Sequence, residues 1–281
     1  MWLLKETWRR FRKNRLAMAG LIILIILILL ALLAPVIAAE GYDNQVIAER
    51  NIAPFVNSKH ILGTDQVGRD MLTRLVWGGR VTLRVGVVSV GISLIGGLIF
   101  GSIAGFFGGT IENVIMRVMD VLLAIPGMLL ALAISAALGA GMTNAIISVG
   151  IAGIATFSRV VRSSIMTIRD MEYVEAARSI NASNTRIIFR EILPNCLAPI
   201  LVQATLSMAW AVMQTSSLSF LGLGIQPPVP EWGSMISEAR SYMRELPWLV
   251  ILPGFFIMLD IFAVNVIGDG LRDALDPKLR K

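Results

Sequence analysis

The sequence carries few side chains that act as metal ligands, nucleophiles or bases. It has one histidine, His60, and one cysteine, Cys196, which excludes a multi-histidine metal site and a cysteine-rich cluster within this chain. A phosphate-binding P-loop needs a lysine directly after a glycine. None of the five lysines meets this requirement: Lys5, Lys13, Lys59, Lys278 and Lys281. The sequence therefore predicts no catalytic residue, metal site or cofactor here, and any ATP that drives the protein is hydrolysed by another subunit.

One acidic residue stands out because it interrupts an apolar run. Asp260 lies within residues 246–267, and a carboxylate in a membrane span costs about 2.5–3.5 kcal/mol on insertion scales. We therefore expect Asp260 to line a cavity or to hydrogen-bond to a neighbouring helix. A transporter driven by an ion gradient, with Asp260 as its ion or proton site, is an alternative. A membrane-embedded hydrolase is disfavoured, because it needs a nucleophile and a base facing each other.

The composition is that of a membrane protein. Of the 281 residues, 56% are hydrophobic and 16% are charged, and the mean hydropathy is +0.73. These values exclude a disordered chain, a collagen, a coiled coil and most soluble enzymes. The net charge of +6 does not imply nucleic acid, because lysine and arginine collect in the cytoplasmic loops of membrane proteins.

Apolar runs of about 20 residues, the length that crosses a bilayer as a helix, predict an all-α integral membrane protein with six transmembrane helices. Pro126 should kink the third helix, and Asp120 can pair with Arg117 one turn earlier. The first helix follows a basic head, residues 1–15, and its apolar core is longer than that of a signal peptide, so we expect a retained anchor. The six helices are placed at 16–39, 85–111, 114–138, 145–166, 198–221 and 246–267.

The distribution of basic residues predicts the orientation. Lysine and arginine are roughly twice as numerous in the segments on the side of the N-terminus, which places both termini, including the tail 273–281, in the cytoplasm. Residues 40–80 then form an extracytoplasmic segment, in which His60 and Asp65 are expected to make hydrogen bonds. Residues 232–243 have helical spacing of apolar residues and predict an amphipathic helix on the outer surface.

Four glycines at every fourth position of the second predicted helix predict a face for close helix packing. Repeated GxxxG steps let a neighbouring backbone approach closely. Packing within the membrane is the expected role, and a direct role in a pore is the alternative. These residues are Gly97, Gly101, Gly105 and Gly109.

Residues 167–196 are too polar to span a membrane and predict a cytoplasmic helix–turn–helix. Glutamate, alanine and arginine favour a first helix, and Asn181 suits the left-handed conformation at its end. Thr185 is expected to cap a second helix, which Pro194 ends. From composition alone, a plain solvated loop remains the alternative.

This segment carries a family resemblance. Glu175-Ala176-Ala177, the turn residue Asn181 and Leu193-Pro194 closely resemble the "EAA" coupling loop of ATP-binding-cassette (ABC) importer permeases, in which glycine is usual at the turn. Asparagine is the next-best residue for a positive φ. Three further stretches resemble the dipeptide, oligopeptide and nickel branch of that family and its C-type permease: residues 60–70, 220–233 and 265–277.

The resemblance implies a type I ABC importer permease fold, with its core at residues 81–272, in the bacterial inner membrane. It implies four kinds of partner: a homologous second permease, two cytoplasmic ATPase subunits that bind ATP and Mg²⁺, an extracytoplasmic substrate-binding protein and the lipid bilayer. The coupling loop 167–196 would dock into the ATPase. The outer helix would either receive the binding protein or lie at the lipid headgroups. Peptides are the expected substrate, and nickel, free or chelated, is the alternative.

Overall fold

The structure, a computed structural model, describes residues 2–275, with side chains from Glu6 onward. Within that range the chain is helical apart from loops and two isolated β-bridges in the segment 40–70. The last residues of the C-terminal motif, Asp276 and Pro277, and most of the predicted tail 273–281 lie outside the described residues. The helices, in chain order, are α1 (Trp2–Phe11), α2 (Arg15–Ile37), α3 (Met71–Phe107), α4 (Gly109–Ala124), α5 (Gly127–Leu138), α6 (Met142–Met166), α7 (Glu172–Ser179), α8 (Asn184–Arg186), α9 (Leu197–Phe220), α10 (Trp232–Ala239) and α11 (Trp248–Leu275).

Five helical stretches are long and apolar enough to cross a membrane: α2, α3, α6, Asn184–Phe220 and α11. The bent pair α4 and α5 is the sixth candidate. Its first residues adjoin the end of α3, where Gly105 accepts a hydrogen bond from Arg169. The loop that follows α5 is bonded to the far end of α9, since the Gly141 amide donates to the Gly224 carbonyl. The pair therefore connects opposite ends of the bundle, and the all-α fold with several spans is confirmed.

Pro126 breaks the third span instead of kinking it. The axes of α4 and α5 differ by 91°. A proline pushes the residue before it out of the helical region, and Ile125 is extended, with φ −89° and ψ 126°. A further correction concerns Asp120 on α4, which pairs with Arg159 of α6 at 2.7 Å and not with Arg117.

α3 begins at Met71, fourteen residues before the predicted start at 85. The Asp70 carboxylate caps it by accepting a hydrogen bond from the Thr73 amide at 2.7 Å. With 37 residues, α3 is about 55 Å long, which exceeds the roughly 30 Å of hydrocarbon in a bilayer. The boundary drawn at residue 81 therefore falls inside a continuous helix. α11 likewise extends to Leu275, beyond the predicted end at 267.

α3 and α6 pack closely along most of their length, and glycines make this possible. A Cβ at Gly97 would overlap Phe157, and one at Gly101 would lie 2.6 Å from the Ser158 carbonyl oxygen. Gly105 faces Ile165 in the same way. Gly109 does not continue this face, because α3 ends at Phe107 and Gly109 adopts a φ of +56° with no atom near its missing Cβ.

Candidate functional site

The segment between α6 and α9 is anchored to the bundle by an apolar core. Val174 of α7 and Ile187 and Ile192 of the second arm are buried in one cluster with Phe106 of α3 and Ile165 of α6. The Arg178 guanidinium lies 5.6 Å from the centre of the Phe106 ring. This core leaves little freedom for the hairpin, which we define as residues 171–194, to move independently of α3 and α6.

The turn of the hairpin has the geometry that Asn181 predicts. Its φ is +59°, and the Asn181 amide donates to the Arg178 carbonyl at 2.9 Å while the Ala182 amide donates to the Ala177 carbonyl at 3.1 Å. These two bonds form a Schellman motif, which ends helices with a left-handed residue. Ala177 and Ala182 both pack against the buried cluster.

The second arm departs from the predicted helix. Ser183, and not Thr185, caps it, because the Ser183 hydroxyl accepts a hydrogen bond from the Arg186 amide. Pro194 does not end it. The backbone widens to π-helical turns at Ile187–Ile192, tightens to a 3₁₀ turn at Leu193–Cys196 and continues into α9. This change of pitch accommodates the missing amide of Pro194 within a continuous helical stretch.

The tip of the hairpin presents an exposed surface. Glu175 and Ala176 are exposed, whereas Ala177 is half-buried against the core. Ile180, beside the turn, is 72% exposed, and Phe189 of the second arm is 65% exposed. An exposed helix with small residues is a surface that another protein can approach closely.

Two cavities form a path inside the bundle. The first, of about 190 Å³, lies among α3, α6 and α9. The second, of about 560 Å³, lies at the hairpin end of α9 and shares Gln203 and Leu206 with the first. Hydroxyl and amide groups interrupt the mainly apolar lining of both: Ser93, Thr156, Gln203 and Ser207 in the first, and Ser164, Thr167, Asn195 and Gln203 in the second.

Sequence reasoning did not identify these cavity-lining residues. Their signal was present as hydroxyl and amide residues inside uncharged apolar runs, but serines in helices also bond to their own backbone. The Ser158 hydroxyl, for example, donates to the Ile154 carbonyl at 2.8 Å. Only the packing of the helices separates Gln203, which bonds to Ser207 at 2.9 Å beside the cavity, from such residues.

Asp260 lies in neither predicted environment. It is fully buried on α11, and within the described residues neither carboxylate oxygen has a hydrogen-bond partner. It lines neither of the two cavities. Asp260 lies on the buried stripe of α11, one turn after Phe256 and one turn before Val264. Phe256 packs in an apolar cluster.

At the outer end, four charged side chains form a closed ring. Arg74 of α3 binds Asp65 and Glu238 at 2.7 Å each. Arg69 binds the same two carboxylates, Asp65 at 2.6 Å. Both arginines and Asp65 are almost fully buried, so the ring ties the segment 40–70 to α3 and α10. Asp65 was expected to hydrogen-bond within residues 40–80, and both of its arginine partners lie in that range, although Arg74 belongs to α3.

α10 is packed into the bundle through its apolar face. Trp232 is 1% exposed and donates from its indole nitrogen to the Leu75 carbonyl at 2.9 Å. The fully buried Glu231 caps α10 and accepts hydrogen bonds from Thr82 of α3 and Ser216 of α9. Sequence reasoning assigned Glu231 no role, because its function depends on three helices meeting.

His60 joins two parts of the outer segment. Its Nδ1 lies 3.0 Å from Asp70 and its Nε2 lies 3.0 Å from Glu49. Hydrogen bonds of His60 within this region are what the sequence predicts. Burial lowers the pKa of His60, but the bonds to Asp70 and Glu49 outweigh it and raise the pKa above the usual value. Hydrogen bonds from Lys59 and His60 lower the pKa of Glu49. The imidazole therefore favours its charged form between two carboxylates.

Several apolar helices long enough to span a membrane, with a hairpin anchored at one end of the bundle, define an integral membrane protein of the α-helical class. Residues 97–281 match the family "Binding-protein-dependent transport system inner membrane component", and residues 3–54 match the "N-terminal TM domain of oligopeptide transport permease C". The chain belongs to the first of these families, the permeases of ABC importers, and is an inner-membrane protein.

Curated relatives match along almost the whole chain. The dipeptide transport system permease protein DppC of Alkalihalophilus pseudofirmus is 45% identical, over 98% of this chain and 90% of the relative. The di/tripeptide permease DppC of Pseudomonas aeruginosa is 43% identical, over 99% and 93%. The glutathione transport system permease GsiD of Pectobacterium atrosepticum is 41% identical, over 98% and 91%.

Solved structures show the same fold at low sequence identity. An inward-facing MetNI methionine ABC transporter chain superimposes with a TM-score of 0.59 at 18% identity, over 73% of this chain and 98% of that chain. A chain of an amino acid ABC transporter gives a TM-score of 0.54 at 16% identity, over 72% and 94%. The predicted type I importer permease fold is confirmed.

Proposed function

We propose that this chain forms one half of the pathway by which an ABC importer moves peptides across the inner membrane. The observation that carries the proposal is the hairpin, whose apolar base joins it to α3 and α6 while Glu175 and Ala176 stay exposed. Curated relatives named for dipeptide, di/tripeptide and glutathione transport support peptides as the substrate class. A homologous second permease would supply the other half.

The two cavities suit this role because peptide groups need hydrogen-bond donors and acceptors along the path. Gln203 and Ser207 supply them without a fixed charge. Arg272 lies at the wide end, near the hairpin. A path without strong binding groups lets a substrate enter and leave. We propose that an extracytoplasmic binding protein, received at the outer end that α10 and segment 40–70 build, selects the peptide.

The hairpin would transmit the work of ATP hydrolysis. Two ATPase subunits, which bind ATP and Mg²⁺, would dock on the inner side, each against one permease. A hairpin rigidly joined to α3 and α6 would carry their closure into the bundle, and the bundle would alternate between two states of access. The inner side is here the side of both termini, as the positive-inside rule predicts.

The decisive experiment reverses the charge of Glu175 in the assembled transporter. Glu175→Lys should abolish peptide uptake and peptide-stimulated ATP hydrolysis while membrane levels stay normal, because it places a lysine at the centre of the docking surface. Glu191→Lys, the same change in the second arm, should retain most uptake. Normal uptake by Glu175→Lys would remove the docking role. Uptake that persists without ATP would favour a transporter driven by an ion gradient.

A further inference from the structure

A basic recess lies where α1 meets the ends of α2 and α11. It is an open hollow of about 480 Å³. Three of its side chains are cationic and one is anionic. Arg10 pairs with Glu6 at 2.9 Å, whereas neither Arg9 nor Lys13 has a carboxylate partner within the described residues. The recess is lined by Arg9, Arg10, Lys13, Asn14, Gly270, Asp273 and Ala274.

Packing and capping contacts hold the wall of the recess that α1 and the start of α2 form. Phe11 is 4% exposed and lies against Gly270, where a Cβ would come within 3.1 Å of its ring. The Asn14 side chain caps α2 by accepting a hydrogen bond from the Ala17 amide at 3.1 Å. These contacts fix the backbone of residues 9–14, and with it the positions from which Arg9 and Lys13 reach the hollow.

Its level along the bundle is that of the lipid headgroups. α2 begins at Arg15, and its apolar run starts at Leu16, which is 65% exposed. Trp8, which is 50% exposed, stacks on Phe11 with ring centres 5.9 Å apart. Exposed tryptophan and basic residues beside the end of a span are typical of the membrane–water interface.

We propose that this recess binds the headgroup of an anionic phospholipid of the inner leaflet. Arg9 and Lys13 would contact its phosphate, and the exposed side chains of Leu16 and Trp8 would adjoin its acyl chains. Basic pockets between membrane helices on the cytoplasmic side suit such headgroups. A soluble phosphate has the same charge, but only a lipid also uses the apolar surface. The proposal rests on the orientation given under Proposed function.

The experiment measures lipid binding to the purified transporter that contains this chain. Native mass spectrometry during titration with phosphatidylglycerol, and separately with phosphatidylcholine, gives the affinity for each. The wild type should prefer phosphatidylglycerol. Arg9→Gln and Lys13→Gln should each weaken its binding roughly fivefold, as expected for one cation at a membrane surface. Phosphatidylcholine binding should not change.

Three variants keep the result interpretable. Arg12→Gln removes an exposed cation that does not line the recess, and it should leave the affinity unchanged. Arg9→Lys keeps the charge and should retain most of the affinity. Asp273→Asn removes the anion in the recess and should strengthen phosphatidylglycerol binding, a gain that a folding defect does not produce.

Other outcomes would overturn the proposal. An equal loss in Arg12→Gln and Arg9→Gln would show only diffuse attraction to a negative surface. Displacement of phosphatidylglycerol by glycerol 3-phosphate at comparable concentration would assign the recess to a soluble anion. Loss of the ATPase subunits on purification of Arg9→Gln, with unchanged lipid binding, would assign it to a protein contact. The experiment measures lipid binding and not transport, so failure of the proposed function and failure of the lipid site can be told apart.

Discussion

At the scale of single residues, the space left by glycine determines how α3 meets α6. Gly97 and Gly101 face the α6 backbone and the base of Phe157, and the contact is reciprocated by Gly150 of α6, whose missing Cβ would lie 2.8 Å from Ile92. Such contact gives dispersion energy in lipid, where no hydrophobic effect drives helices together. Gly91, on the same helix, faces open space.

Gly101→Ala should therefore destabilise the permease, and Gly91→Ala should not. A Cβ at Gly101 would lie 2.6 Å from the Ser158 carbonyl oxygen, so α3 and α6 must separate at a cost of about 1–3 kcal/mol. At Gly91, alanine should leave stability unchanged or raise it through its higher helix propensity. Thermal unfolding of the purified transporter measures both. Equal midpoints for the two variants would contradict the packing role.

His60 makes the attachment of the outer segment depend on pH. Its pKa in the folded protein is above the usual 6.5, because the bonds to Asp70 and Glu49 outweigh the opposing effect of burial. The stabilisation is therefore complete below about pH 6.5 and is lost as the pH rises through the raised value. Lys59 also binds Glu49, at 2.9 Å, and keeps part of the attachment at high pH.

Proteolysis of the segment 47–70 should consequently speed up as the pH rises above about 6.5. His60→Gln should make the rate less dependent on pH, because the neutral amide does not titrate. Lys59→Gln serves as the control, since it removes an exposed ion pair, which is screened by solvent, and leaves the titrating imidazole in place. Protection that increases with pH in the wild type would show that the sign is wrong.

At the scale of elements, the sequence predicts features that depend on a single helix and misses features that depend on contacts between several helices. Hydropathy found every span, and asparagine chemistry found the turn at Asn181. Hydropathy also started α3 too late, at residue 85, because the charges Arg74 to Arg84 interrupt the apolar pattern of its first turns. Arg74 is tolerated in a buried helix because Asp65 and Glu238 neutralise it. That ring, like the cap Glu231, joins segments far apart in the chain, and local pattern does not reveal such partners.

The two prolines depart from their predictions in opposite ways. Pro126 was expected to kink a helix and breaks it, with Ile125 driven into the extended region. Pro194 was expected to end a helix, yet the backbone continues by changing pitch. The difference lies in the surroundings. The turns before Pro194 are held by the buried Ile187 and Ile192, so packing compensates for the lost hydrogen bond.

The hairpin turn gives a prediction at this scale. Asn181→Gly should preserve peptide uptake, because glycine adopts φ +59° without strain. Asn181→Ala should cost about 1–2 kcal/mol and loosen the Schellman motif that orients Glu175 and Ala176. Hydrogen exchange of residues 172–182, with uptake as the second measurement, tests this. The same protection in the glycine and alanine variants would mean that the turn is set by the apolar core alone.

At the scale of the whole molecule, the direction of the path follows from which ends of the helices coincide. The hairpin, the wide cavity, the start of α4 and the end of α11 share one end of the bundle. The loop after α5, the end of α9, α10 and the segment 40–70 share the other. α3 and α6 run parallel, since Gly97, Gly101 and Gly105 of α3 meet Phe157, Ser158 and Ile165 of α6 in that order. The bent pair α4 and α5 therefore returns across the bundle, and the hairpin lies at the end opposite the segment 40–70.

Cysteine labelling tests on which side of the membrane each end of the bundle lies. The native Cys196 is fully buried and should not react, so one exposed position at a time can be tested with a membrane-impermeant maleimide. Asp43→Cys and Ala140→Cys should be labelled in intact cells, whereas Thr185→Cys should be labelled only after permeabilisation, because three crossings separate it from residue 43. Labelling of Thr185→Cys in intact cells together with Asp43→Cys would contradict the placement of the hairpin and the segment 40–70 at opposite ends of the bundle. The reverse pattern at all three positions would invert the whole protein and contradict the positive-inside assignment, which places the basic recess and the hairpin together on the side where lysine and arginine collect.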